Sequence, residues 1–133
     1  MRRTARRIAT GVLATATTVA VAVTAGGVTP AFAGWSGGIG TIGGRWYADG
    51  AGSFWWDDYG EHLTINDNKA DGAGVAVRIY GSSLKTYTFS GGAGKSGSFN
   101  LSYAEGTALD FYVCISDNGT IQEDTCNYWP GQA

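Results

Sequence analysis

Apolar and polar positions alternate with a period of two along most of the second half of the chain, the pattern of half-buried β-strands. The clearest run is 109–115: Leu109, Phe111, Val113 and Ile115 fall on one face, Asp110, Tyr112 and Cys114 on the other. A second clean run follows Gly74, with Val75, Val77 and Ile79 on one face, and these two strands are predicted to form the core pair. Leu63 and Ile65 point inward from a strand whose outward residues are His62 and Thr64. Lys85, Tyr87 and Phe89 alternate with Thr86 and Thr88, and Phe99, Leu101 and Tyr103 alternate again. A last strand is predicted over 120–129, ending before Pro130, which cannot donate to a ladder. Upstream, Arg45-Trp46-Tyr47 and Phe54-Trp55-Trp56 flank the turn Ala48-Asp49-Gly50 and read as a hairpin. The glycine-rich stretch 34–44 reads as a flexible lead or an irregular edge strand.

Polar and glycine-rich runs at 66–72, 91–97 and 116–119 separate these strands, and no stretch has helical periodicity. Seven or eight short strands at regular spacing predict an all-β fold, a small antiparallel β-sandwich or a small barrel. The two cysteines, Cys114 and Cys126, flank the turn Ser116-Asp117-Asn118-Gly119 and are predicted to form one disulfide across that hairpin. They and the single His62 are too few soft ligands for a zinc site.

Residues 1–33 carry the marks of a signal peptide. Arg2, Arg3, Arg6 and Arg7 precede a mildly apolar run, and Ala31-Phe32-Ala33 supplies a small-x-small cleavage site. A membrane anchor is the competing reading, but the Ala, Thr and Gly content of the run makes it weakly hydrophobic. Arg6-Arg7 lacks a good twin-arginine continuation, so general secretion is the expectation. The mature part, 34–133, is then a single extracellular domain of about a hundred residues with a modest core.

Removal of the leader leaves five basic against eleven acidic residues, a net charge of −6. An acidic surface without a basic stripe repels phosphate backbones and anionic headgroups, so neither nucleic acid nor a membrane surface is expected as a partner.

The run Asp67-Asn68-Lys69-Ala70-Asp71-Gly72 before a Val-x-Val-x-Ile strand, then Leu-x-Phe-x-Val-Cys, Asp117-Asn118-Gly119 and a terminal Cys-x-Tyr-Trp resembles small secreted β-proteins of actinomycetes. The resemblance covers about half of the mature chain, from Asn66 to Trp129 with gaps. It implies secretion and a β-sandwich, and it carries no activity and no catalytic residue.

The candidate chemical motifs do not assemble. Gly94-Lys95-Ser96 would complete a phosphate loop only with a glycine where Phe89 stands. Asp67, Asn68 and Asp71 offer hard oxygen ligands for calcium, but Lys69 and Arg78 occupy ligand positions of an EF-hand register. Asx-rich turn chemistry accounts for the same loop. Asp57, Asp58 and Glu61 lie beside two tryptophans, a pattern compatible with glycosidic cleavage but in a chain small for a deep cleft. His62 has no Gly-x-Ser-x-Gly partner. No catalytic residue, metal or cofactor is therefore assigned, and hydrolysis at Asp57, Asp58 or Glu61 ranks last. Asn118-Gly119-Thr120 matches a glycosylation acceptor and reads better as a turn.

What remains is a surplus of aromatic residues. In Phe54-Trp55-Trp56 successive rings alternate faces, so at least one bulky ring lies near the surface. The alternative is that all the rings are core. The candidate ligand-binding residues are Trp55, Trp56, Tyr59 and Trp129, in a non-catalytic extracellular module that recognises a polysaccharide or an extracellular protein. A second reading is a secreted antagonist, an enzyme inhibitor or antibacterial protein. Gly43-Gly44-Arg45-Trp46 with the aromatic C-terminus is similar to lactococcin-972-like bacteriocins over those few residues, and this implies no mechanism.

Overall fold

Most of the alternating runs become strands in the computed structural model, which describes residues 34–133. The signal-peptide assignment for 1–33 lies outside the described residues. The strands are β1 (Gly52–Asp57), β2 (His62–Asp67), β3 (Gly74–Tyr80), β4 (Leu84–Phe89), β5 (Ser96–Asn100), β6 (Ala108–Asp117) and β7 (Thr120–Gln132). They form two antiparallel sheets with orders β1-β2-β5 and β4-β3-β6-β7. The β-sandwich expectation holds, with seven strands.

The inward halves of the alternating runs meet between the sheets. Phe54, Trp56, Leu63 and Ile65 face Val75, Val77, Ile79, Leu109, Phe111, Val113 and Ile115, and all are buried. Phe54 stacks on Phe111 with centroids 5.1 Å apart and planes 15° apart, and the Trp56 ring lies 5.3 Å from the same phenylalanine. The predicted core pair is adjacent as expected, with Val77 opposite Val113 and Ile79 opposite Phe111.

The lateral openings of the sandwich close differently. On one side Tyr87 of β4 and Phe99 of β5 pack at 5.2 Å. On the other, the glycine-rich stretch forms an irregular edge along β1, bridging Gly37 to Trp56 and Gly40 to Ser53, while Trp35 bridges to Gln132 of β7. Glycine is required for this approach, since a Cβ on Gly38 would lie 1.9 Å from the Phe54 carbonyl oxygen.

This strap displaces the predicted Arg45–Tyr47 strand. The Asp49-Gly50 turn exists, with Asp49 accepting from the Gly43 N–H at 2.9 Å, but the neighbour of β1 on that edge is 37–40 and residues 45–47 are a bend. Leu101 and Tyr103 lie beyond the end of β5 and still pack half-buried on the core. β7 continues through Pro130, opposite Asp110. As an edge strand it tolerates a residue without an N–H.

The disulfide Cys114–Cys126 is formed, with Cα atoms 4.2 Å apart. It sits at an irregularity in the β6–β7 ladder: Val113 pairs with Asn127 but Ile115 pairs with Gln122, so residues 123–126 bulge opposite Cys114. The Asn118-Gly119 turn joins the two strands with positive φ at both residues, 47° and 78°, as a tight two-residue hairpin requires.

Candidate functional site

The outward halves of the same runs form two exposed sheet faces of different chemistry. On the three-stranded sheet the pairing aligns three rows across β1, β2 and β5: Ser53, Asn66 and Ser96; Trp55, Thr64 and Ser98; Asp57, His62 and Asn100. Trp55 is half exposed, at 52 %, in the middle row. It is the one large apolar side chain among these nine positions.

The polar members of the first two rows are already linked. Ser96 Oγ donates to Asn66 Oδ1 at 2.5 Å, Asn66 Nδ2 donates to Ser53 Oγ at 3.4 Å, and Thr64 and Ser98 hydroxyls lie 3.5 Å apart. Hydroxyl and amide groups so tethered keep further donor and acceptor capacity toward solvent. Tyr59, almost fully exposed, stands in the β1–β2 turn at one end of this face, its N–H bonded to Asp57 Oδ1 at 3.1 Å.

Comparison with family models, with curated proteins and with solved structures finds no match.

Of the four predicted site residues, the structure leaves Trp55 and Tyr59 at the surface, buries Trp56 and packs the partly exposed Trp129 against the core. Trp56 is fully buried, its ring against Phe111 and its indole N–H donating to the Gln132 carbonyl at 3.1 Å. A buried indole needs such a partner, and here it ties β1 to β7. Trp129 is half-buried, packed 5.5 Å from Phe111 and 5.9 Å from Phe54. Both share the inward parity of the phenylalanines they touch. Trp35 and Trp46, at 60 % and 73 %, are more exposed than Trp55 but stand on the strap and in the following bend, outside the rows of the three-stranded sheet.

The acidic cluster beside Trp55 is occupied by structural bonds. Ser36 Oγ donates to Asp58, and both Glu61 carboxylate oxygens accept from the Tyr103 N–H, at 2.8 and 3.0 Å. Glu61 itself has a positive φ of 55°. Asp67 and Asp71 accept from the N–H two residues on, and Asn68 Nδ2 reaches back to Gly50 and Ser53. These oxygens close Asx turns rather than converge, and no group of three His, Cys, Asp or Glu positioned for a metal occurs among the described residues.

The outer face of the four-stranded sheet was not singled out from the sequence. It carries Tyr80 of β3, Tyr112 of β6 and Tyr128 of β7, with centroid separations of 5.5 Å between Tyr80 and Tyr112 and 5.2 Å between Tyr112 and Tyr128. Arg78 makes two bonds to Glu123, at 2.7 and 3.1 Å, and its Nη2 lies 3.3 Å from Cys126 Sγ. The outward parity of Tyr80 and Tyr112 was present in both core runs. The two tyrosines come together only because β3 and β6 pair.

Proposed function

We propose that the protein is a secreted, non-catalytic module that binds polysaccharide on the outer face of the three-stranded sheet, with Trp55 as the stacking ring. The observation that carries this reading is the composition of that face: one exposed indole in the middle row, on β1, with serine, threonine, asparagine, aspartate and histidine aligned beside it across β2 and β5. A pyranose offers an apolar C–H face and a rim of hydroxyls that both donate and accept. It calls for a ring to stack on and neutral polar groups beside it.

The alternative partner, a protein, is better matched by several large apolar or arginine anchors in a desolvated patch. This face has one. An open sheet face without a deep cavity suits an extended polymer, which lies across it, more than a small ligand that must be enclosed. Secretion is supported by the leader-like residues 1–33 and by the disulfide, which persists in oxidising compartments. Among the described residues no helix is long and apolar enough to cross a membrane.

The test is retention of the mature protein on a panel of insoluble glycans, with Trp55→Ala and Trp55→Phe alongside. Retention of the wild type on one glycan, lost in Trp55→Ala and partly kept in Trp55→Phe with circular dichroism unchanged, is the expected result. Equal retention of Trp55→Ala and wild type, or no retention on any glycan, overturns the reading.

A further inference from the structure

On the opposite face, β3–β6–β7 pairing surrounds Asp110 with three tyrosines. Tyr80 is its direct partner on β3, Tyr112 is two residues along its own strand and face, and Tyr128 on β7 donates its hydroxyl to Asp110 Oδ1 at 2.7 Å. The Tyr80 and Tyr112 rings meet at 80°, forming the two walls of a corner. The corner belongs to a shallow cleft of about 480 Å³ lined by Arg78, Tyr80, Asp110, Tyr112 and Glu123.

The charges in that cleft are unbalanced. Arg78 and Glu123 make the one salt bridge among the described residues, at 2.7 Å, so the guanidinium is neutralised in place. Asp110 has no cationic partner among them. A carboxylate left on a sheet face, with aromatic rings on its flanks, presents negative charge together with ring quadrupoles whose faces are also negative. The mature domain, at a net charge of −6, adds attraction of the same sign.

We infer that this corner binds an alkylammonium group, held electrostatically by Asp110 and enclosed by the faces of Tyr80 and Tyr112. A bare metal ion would need further oxygen ligands, since Tyr128 already occupies one side of Asp110. A bulky, weakly hydrated cation needs only the carboxylate and the rings. The site is independent of the Trp55 face, being on the other sheet.

The experiment follows the tyrosine ring resonances by NMR while tetramethylammonium chloride is added to the mature protein, with potassium chloride at equal ionic strength and neopentyl alcohol as a water-soluble neutral analogue of similar shape. Saturable shifts with tetramethylammonium, absent with both controls, are expected. Asp110→Asn and Tyr80→Leu then weaken binding about threefold each, the size of a cation–ring or charge contact at an exposed site, while Tyr80→Phe and Trp55→Ala bind as the wild type does. Asp110→Asn is nearly isosteric and keeps the test decisive if Tyr80→Leu fails to fold. Absence of saturation, equal binding of neopentyl alcohol, or unchanged affinity in Asp110→Asn overturns the assignment. Two sources of the group are separated by phosphatidylcholine vesicles: sedimentation with them, reversed by free choline, identifies a lipid headgroup, and saturation by free choline alone identifies a soluble ligand.

Discussion

Thr125 satisfies through its side chain the Ile115 N–H beside the irregularity in the β6–β7 ladder. The Ile115 N–H donates to Thr125 Oγ1 at 2.8 Å, and that hydroxyl donates onward to the Gln122 carbonyl at 2.6 Å. Both residues are buried, so water cannot replace the hydroxyl. Thr125→Val keeps the shape and removes the acceptor, leaving a buried N–H unpaired. A destabilisation of about 1–3 kcal/mol is expected, measured as a lower urea midpoint at constant slope. A midpoint equal to that of the wild type would show that the bulge relaxes to pair Ile115 otherwise.

Trp55 and Trp56 are neighbours with opposite roles, and truncation separates them. Trp56→Ala opens a cavity against Phe111 and removes the bond to Gln132, a loss of about 3–5 kcal/mol that is large enough to unfold a domain of this size. Trp55→Ala lies on the polar face and is expected to change stability by no more than about 0.5 kcal/mol. Denaturation of the two variants side by side checks the face assignment before any ligand is known. Similar losses in both would contradict it.

The disulfide joins residues 12 apart in sequence, across the bulge. Replacement of Cys114 and Cys126 together by alanine removes the constraint on the unfolded chain and is expected to cost about 3 kcal/mol. Thermal unfolding of the double variant against the oxidised wild type measures it. An unchanged transition would mean that the paired β6–β7 hairpin already restrains the unfolded state.

Two phenols bonded to carboxylates make the protein sensitive to alkali. Tyr47 bonds Asp117 and Tyr128 bonds Asp110, each at 2.7 Å; in both cases that bond is the first cause raising the phenol above its usual value, and partial loss of solvent the second. A group whose folded-state pKa is raised contributes stability that is fully present below its unfolded value. It is lost as pH rises through the folded one. Stability is therefore expected to fall as pH climbs past about 10, and less steeply in Tyr47→Phe and Tyr128→Phe. Urea midpoints followed from neutral to alkaline pH test this, and a slope unchanged in both variants would exclude these bonds as its source.

The runs 75–79 and 109–115 were legible as adjacent core strands because a period of two, in residues as apolar as Val, Ile, Leu and Phe, admits one inward face. The Asn118-Gly119 turn and the disulfide were legible for a related reason: the positive φ and the cysteine partner are both local to one hairpin. Trp129 was misplaced because its parity has meaning only once β7 is registered on β6, which sets Trp129 opposite Phe111 and Tyr128 opposite Tyr112. The Arg45–Tyr47 hairpin was misread because an Asp-Gly turn signals a reversal without saying which segment takes the free edge of β1.

By itself, then, the amino-acid order determined the cleanly alternating strands, the inward faces of 75–79 and 109–115 and the cysteine pair, all matters of short-range alternation and turn geometry. Only the tertiary structure decided that Trp55 stands alone among polar rows, that Trp56 belongs to the core, and that three tyrosines from three strands surround Asp110. Each of those relationships depends on register between segments far apart in the chain, and register is set by packing between the sheets rather than by any local pattern.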